Sequence, residues 1–172
     1  EHTAYRKLGL PQFKPASLAD LDTRLDELSD RAVQTMRDAG GELDFSIDVA
    51  LPYPLHVILK ILGLPEEDYP RMLTLTQQLF GGEDPDLQRE ELSPEAIAAV
   101  LMDFISYFAG ITADRREHPT DDLASLIANG RIGAYPLCDL ETIGYYVIVA
   151  TAGHDTTSSA MAGGFRALVD HP

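Results

Sequence analysis

One long apolar helical pattern, interrupted in its middle by a polar cluster, limits most what this chain can fold into. From Asp139, which stands where a cap would, the pattern runs through Ile143, Val147, Ile148, Met161, Phe165 and Leu168. A helix of roughly thirty residues is about 45 Å long, enough to cross the centre of a domain. Its middle reads Ala152-Gly153-His154-Asp155-Thr156-Thr157-Ser158-Ser159, a helix-weakening glycine followed by six polar residues in succession. In a buried helix such groups need partners. Gly153 removes a side chain, so a flat ligand or another backbone can approach closely. Asp155 and Thr156 set a carboxylate beside a hydroxyl, a pair that can order water and relay protons. Hydroxyls that bond back to the preceding turn can also open the helix there. The other reading is a hydrophilic stripe facing solvent, with Gly153 admitting a neighbouring helix. Periodicity alone does not choose between the two.

The rest of the chain also reads as helices separated by stop signals, with no convincing strand and no internal repeat. Ser17 can cap a helix whose face is Leu18, Leu21, Leu25, Leu28, Ala32 and Met36, ended by Gly40-Gly41. Residues 43–54 look irregular. Leu55 to Leu62 is a short, nearly apolar and therefore buried helix closed by Gly63 and Pro65. Glu66, Glu67 and Asp68 suit a helix N-terminus, and Pro70 is tolerable only in that first turn. This helix should run to about Phe80, and 81–92 reads as an exposed acidic loop. Ser93-Pro94-Glu95 is a cap followed by proline at the first helical position. The helix behind it carries an apolar stripe of Ile97, Val100, Leu101, Phe104, Ile105 and Phe108. Thr120-Asp121-Asp122 caps a short helix ending at Asn129-Gly130, and 131–138 is a loop. The expected class is mainly α.

Charge narrows the partners. The chain has 28 acidic against 13 basic residues, a formal net charge of −15, so its field repels phosphate backbones and anionic lipids. Nucleic acid is not an expected partner. No uninterrupted apolar run reaches the eighteen or so residues that span a bilayer, and the first residues do not form a signal peptide. No membrane association and a cytoplasmic location are the expectations. The single cysteine, Cys138, rules out an internal disulfide and zinc sites built on cysteine pairs, and the five histidines lack ligand spacing. The chain starts without Met and stops behind an apolar helical pattern that has no C-cap glycine, so both ends read as cut.

Ala152-Gly153-His154-Asp155-Thr156-Thr157 resembles the oxygen-binding signature on the long distal I helix of the cytochrome P-450 family, Ala/Gly-Gly-x-Asp/Glu-Thr-Thr/Ser. Tyr145-Tyr146-Val147-Ile148-Val149-Ala150-Thr151 before it resembles bacterial members. Three further matches follow in the family's order. His2-Thr3-Ala4-Tyr5-Arg6 is similar to the His-x-x-x-Arg of the C helix, where one helical turn puts both side chains on one face as paired donors to carboxylates. Leu51-Pro52-Tyr53-Pro54-Leu55 with Ile61 to Asp68 resembles the E helix running into the F helix, and Thr120 to Ile127 resembles the H helix. The resemblance spans the chain, C helix to I helix, so residues 1–172 are expected to be a partial domain. Leu75 to Gly81 and Ala150 to Ser159 are similar to the terpineol-hydroxylating bacterial group.

The resemblance implies heme b (iron protoporphyrin IX), with dioxygen activated on an iron held by a cysteine thiolate and one oxygen atom inserted into a C–H bond. Asp155 and Thr156 would be the catalytic acid–alcohol pair, Thr156 donating a hydrogen bond at the dioxygen site and Asp155 feeding it protons. His2 and Arg6 would hold the propionates. Ala152 and Gly153 would leave room over the porphyrin, and Ile148 and Thr151 would face substrate. The substrate would be a hydrophobic small molecule of terpenoid, fatty acid or steroid class. Electrons would come ultimately from NAD(P)H through a ferredoxin and its reductase. The family's Glu-x-x-Arg and its Phe-x-x-Gly-x-x-x-Cys-x-Gly loop are absent from these residues, so no metal ligand is expected here. Cys138 lacks that motif and reads as an incidental buried or half-buried thiol, the axial cysteine being expected beyond residue 172. Two alternatives remain, a non-enzymatic all-helical interaction domain, and a relative that uses peroxide or dehydrates without external electrons.

Overall fold

The computed structural model describes residues 2–80 and 93–172. Helix α1 (His2–Gly9) leads through a 3-10 turn, Leu10–Phe13, into α2 (Pro15–Asp38). Ser17 is not its cap: the helix starts at Pro15 behind an extended Lys14, and the Ser17 hydroxyl donates to the Pro11 carbonyl at 2.9 Å. Proline at the first position already has the helical φ, which moves the start forward. Leu18, Leu21, Leu25, Ala32 and Met36 are half-buried and Leu28 is buried, as the stripe requires.

The segment expected to be irregular is helical. Ser46–Ala50 form a π-helix, with the Leu51 amide donating to the Ser46 carbonyl five residues back at 2.9 Å, and the Asp44 carboxylate accepts the amides of Ser46 and Ile47 at its start at 3.0 and 3.1 Å. It runs into α3 (Pro52–Leu62), whose two prolines fall in the first turn, where amide donors have no intrahelical partner anyway. Leu55, Ile58, Leu59 and Leu62 are buried, and Gly63, at φ 72°, ends the helix with Leu64 N donating to the Leu59 carbonyl at 2.9 Å. A 3-10 turn, Glu66–Asp68, then opens α4 (Tyr69–Phe80). Residues 81–92, expected to be a loop, lie outside the described residues.

Helix α5 (Pro94–Glu117) is capped by Ser93, whose hydroxyl accepts the Ala96 amide at 3.2 Å. Val100, Phe104 and Phe108 are buried as expected, whereas Ile97 and Leu101 are exposed and Tyr107 and Thr112 are buried in their place. One 18-residue window of α5 has mean hydropathy 1.7, so by length and composition this helix could cross a bilayer, which counting uninterrupted apolar runs missed. In this structure one face of it packs inward, with Phe104 and Phe108 fully buried and 22% of that window buried in all, and Asp103 pairs with Arg71 at 2.6 Å. The short α6 (Leu123–Ala128) is capped by Asp122, whose Oδ1 accepts the Ser125 amide at 2.6 Å.

The expected loop after it holds a small antiparallel hairpin, β1 (Arg131–Ile132) and β2 (Tyr135–Pro136), in the register Arg131 to Pro136 and Ile132 to Tyr135. Gly133, at φ 63°, makes the turn, and two residues per strand are too few to leave an alternating pattern. Helices α7 (Asp139–Ala152) and α8 (Asp155–Asp170) complete the described chain.

The core lies where α3, α4, α5, α6 and α7 meet. Phe108 stacks on Tyr146 with centroids 4.5 Å apart, Phe104 lies against Phe108, and the Tyr146 hydroxyl donates to the Ala124 carbonyl at 2.9 Å. Arg115 ties three helix ends together, donating to Asp122 at 2.9 Å and to the Gly63 carbonyl at 2.8 Å. This frame fixes α7, and through it the polar junction with α8.

Candidate functional site

The expected thirty-residue helix is two helices. α7 stops at Ala152, Gly153 and His154 intervene, and α8 starts at Asp155. Two hydroxyls bond back one turn, Thr151 to the Val147 carbonyl and Thr156 to the Ala152 carbonyl, each at 2.8 Å. The His154 amide donates to Thr151, three residues back, at 3.1 Å. Side-chain competition for backbone carbonyls, next to a glycine, is a recognised cause of such a break. The start of α7 is also shifted. Cys138, not Asp139, is its cap, with Sγ accepting the Glu141 amide and the Glu141 carboxylate accepting the Cys138 amide at 2.7 Å.

The junction has two faces. Tyr146, Ala150 and His154 are buried, whereas Ile148, Ala152, Asp155 and Thr156 are exposed. Asp155 has 54% of its side chain open to solvent, and its Oδ1 lies 3.3 Å from His154 Nδ1. Gly153 has its bare side toward α3. A β-carbon there would sit 3.1 Å from Ile58 Cδ1, so the space it vacates is taken by a neighbouring helix's side chain. Of the approaches read for Gly153, a flat ligand, another backbone or a neighbouring helix, the side toward α3 holds the Ile58 side chain of that helix. Thr151 is half-buried with its hydroxyl engaged by the backbone, and Ile148 is 66% exposed.

Helix α1 brings Arg6 to α7. Arg6 and Ile148, far apart in sequence, line one cleft of about 610 Å³ together with Tyr5, Phe13, Gly144, Tyr145 and Val149. Glu141, also in its wall, is held below the usual carboxylate range, first by the Tyr5 hydroxyl and then by the Cys138 amide. Tyr145 donates to the Tyr5 carbonyl at 3.3 Å and closes α1 on α7. His2 lies in the first turn of α1, and its side chain is outside the described residues. Ala152, Asp155 and Thr156 do not line this cleft; they follow it along α7 and into α8.

An exposed guanidinium in an otherwise mainly apolar wall suits a flat apolar group bearing carboxylates, so the donor set fits heme propionates. No cluster of three His, Cys, Asp or Glu side chains that could hold a metal occurs among the described residues. Cys138 is exposed rather than buried or half-buried, because the cap of α7 sits at the surface, and it does not line the cleft. The residue that sequence reading passed over is His154, the unspecified position of the signature, which is fully buried. Its spacing from Ala150 and Tyr146 continues the core face of α7, and that periodicity was the available signal.

No protein-family profile matches the chain. Among curated proteins it is 43% identical to cytochrome P-450-terp of a Pseudomonas species, with 99% of the chain aligned to 42% of that protein. It is 32% identical to the steroid C26-monooxygenase of Rhodococcus jostii, over 100% of the chain and 35% of the relative. The chain therefore spans about two fifths or less of the length of these relatives. Among solved structures, a Mycobacterium marinum cytochrome P-450 in complex with pseudoionone is 30% identical, with TM-score 0.88 over 99% of the chain and 41% of that structure. CYP108D1 of Novosphingobium aromaticivorans is 46% identical, with TM-score 0.75 over 91% of the chain and 36% of that structure.

Proposed function

We propose that this chain, which belongs to the cytochrome P-450 family, is the dioxygen-handling part of a heme-dependent monooxygenase that hydroxylates a hydrophobic small molecule. Residues 1–172 are then one partial domain, running from the C helix to the I helix. The observation that carries this reading is the α7–α8 junction, where the Thr156 hydroxyl is bonded to the Ala152 carbonyl and the Asp155 carboxylate stands open beside it. Relatives acting on linalool and on steroids support a terpenoid or steroid substrate, with fatty acids the remaining class. They favour the enzyme over an all-helical interaction domain.

Heme b, when bound, supplies the activation of dioxygen and the oxidising power for C–H hydroxylation. Arg6, with His2, would hold its propionates from α1. Ala152, small and exposed on the last turn of α7, leaves space for dioxygen, and Gly153 lets the junction settle against Ile58. Thr156 can turn its hydroxyl from the Ala152 carbonyl and donate to a nearby oxygen atom. Asp155 holds a proton at a carboxylate oxygen and exchanges it with water on its open side. Ile148 offers an apolar, exposed surface to substrate, and Thr151 lies one turn or less from it.

Electrons drawn ultimately from NAD(P)H through a ferredoxin and its reductase, and a cytoplasmic setting, complete the proposal. Its test is the carbon monoxide difference spectrum of the reduced full-length protein, followed by turnover of monoterpenes and steroids with a ferredoxin pair. A thiolate-type band and hydroxylated product are expected. A full-length protein that binds no heme would overturn it.

A further inference from the structure

The cleft between α1 and α7 holds one cation and one carboxylate that do not pair. Of the residues that line it, only Arg6 and Glu141 carry charge. Arg24, Arg71, Arg115 and Arg166 each pair with a carboxylate, whereas Arg6 pairs with none among the described residues. A guanidinium on a flexible stem forks readily onto a carboxylate within its reach, so a carboxylate in the same wall needs a reason to stay apart. Glu141 supplies one, because both of its oxygens are already engaged. Oε1 accepts the Tyr5 hydroxyl, and Oε2 accepts the Cys138 amide at 2.7 Å. These bonds, that of Tyr5 foremost, hold its pKa below the usual carboxylate range. Glu141 therefore stays ionised at neutral pH, and its charge is tied off rather than lost.

The Tyr5 hydroxyl is not what seats α1. The Tyr145 hydroxyl donates to the Tyr5 carbonyl at 3.3 Å, and a β-carbon added to Gly9 would collide with that same hydroxyl, so α1 and α7 meet closely through the backbone of α1. Leu8, on the same helix, fills the space beside Gly130 ahead of the hairpin. Removing one phenolic oxygen at Tyr5 leaves these contacts in place and frees Glu141 Oε1.

We propose that Tyr5 is a positioning residue for Arg6: its hydroxyl holds the Glu141 carboxylate away from the guanidinium, which stays available to a carboxylate-bearing ligand in the cleft. The inference rests on the proposed function, in which that ligand is heme and its carboxylates are the propionates. Without the Tyr5 hydroxyl, Glu141 turns to Arg6 and competes with the ligand from a tethered position, at an effective concentration on the order of millimolar. The strength of an exposed ion pair sets the size of the effect, about two- to fivefold on retention of the ligand.

The test uses the full-length protein and reads the rate of heme transfer to an excess of apomyoglobin. Tyr5→Phe should release heme about two- to fivefold faster than wild type. Tyr5→Phe combined with Glu141→Gln should return to the wild-type rate, because the glutamine oxygen still accepts the Cys138 amide while the side chain has no charge to offer Arg6. Wild-type release from Tyr5→Phe alone would overturn the proposal. Fast release from the double variant would overturn it too, since the Tyr5 bond would then be only an anchor of α1. Either result in a heme-binding protein leaves the proposed function standing and retires the role of Tyr5 alone. A full-length protein that takes up no heme would retire the proposed function, and its crystal structures then decide on Tyr5 separately. Arg6 paired with Glu141 in Tyr5→Phe and apart from it in wild type would uphold the role, and Arg6 apart from Glu141 in both would end it.

Discussion

At the scale of single residues, the junction between α7 and α8 sets the exposed Asp155 carboxylate beside a Thr156 hydroxyl that is bonded back one turn. The order Asp155-Thr156 behind a glycine announced an acid–alcohol pair, and the Thr156 bond to Ala152 is the back-bonding that such a hydroxyl can make. In the full-length protein, Thr156→Ala should leave substrate binding intact and lower product formed per electron by about tenfold, with the balance appearing as peroxide. Coupling equal to wild type would remove Thr156 from that role. Asp155→Asn should slow turnover by about 10²-fold and change the solvent isotope effect on oxygen uptake, since proton supply is what it loses. An isotope effect identical to wild type would count against it. What sequence could not show is which way His154 and Gly153 face. Both depend on Ile58 and Leu51, about a hundred residues earlier, and no local pattern encodes that meeting.

At the scale of elements, caps were readable and their competitors were not. Ser93 and Asp122 cap where a short polar side chain precedes an apolar run, whereas Pro15 displaced Ser17, and Asp44 caps a π-helix where no apolar period announces one. Gly63 shows how much one end can carry. Its φ is 72°, and an added β-carbon would collide with the Asp122 carboxylate, which Arg115 and Thr120 hold at Oδ2 and the Ser125 amide holds at Oδ1. Gly63→Ala should therefore destabilise the fold by about 2 kcal/mol or more, read as a lower denaturation midpoint. Glu66 at the start of the α4 segment makes a different prediction. The Arg31 guanidinium at 2.5 Å, helped by Arg24 at 2.8 Å, holds its pKa down to about 2 from a usual 4.5. A depressed carboxylate pKa contributes stability above about pH 4.5 and loses it as pH falls towards 2. Because Glu66 is half-exposed, solvent screening keeps that contribution to about 1 kcal/mol at most. The midpoint difference between wild type and Glu66→Gln should shrink across that window, and a difference independent of pH would exclude the mechanism.

At the scale of the whole molecule, fold class followed from the succession of helices, while the open side of the structure followed from nothing in the sequence. Ile148, Leu168 and Val169 are 66%, 72% and 61% exposed, and Phe165 is partly open beside them, although the α7–α8 pattern reads as buried on both sides of its polar middle. Periodicity says that a face is apolar and does not say what covers it. Apolar surface of this kind drives association, while a net charge of −15 keeps copies of the chain apart. The two effects differ in range. Screening by about 0.5 M salt cuts the repulsion to a few ångströms and leaves apolar contact intact. The 172 residues expressed alone should accordingly bind a hydrophobic dye and associate more strongly as salt is added, measured by sedimentation, whereas the full-length protein should do neither. With Cys138 committed to the cap of α7 and outside the cleft, the same chain offered heme and carbon monoxide should show no thiolate-type band. A chain that stays monomeric at high salt would mean that α8 folds its apolar face inward in solution. A thiolate band would mean that the cap of α7 opens to release its cysteine.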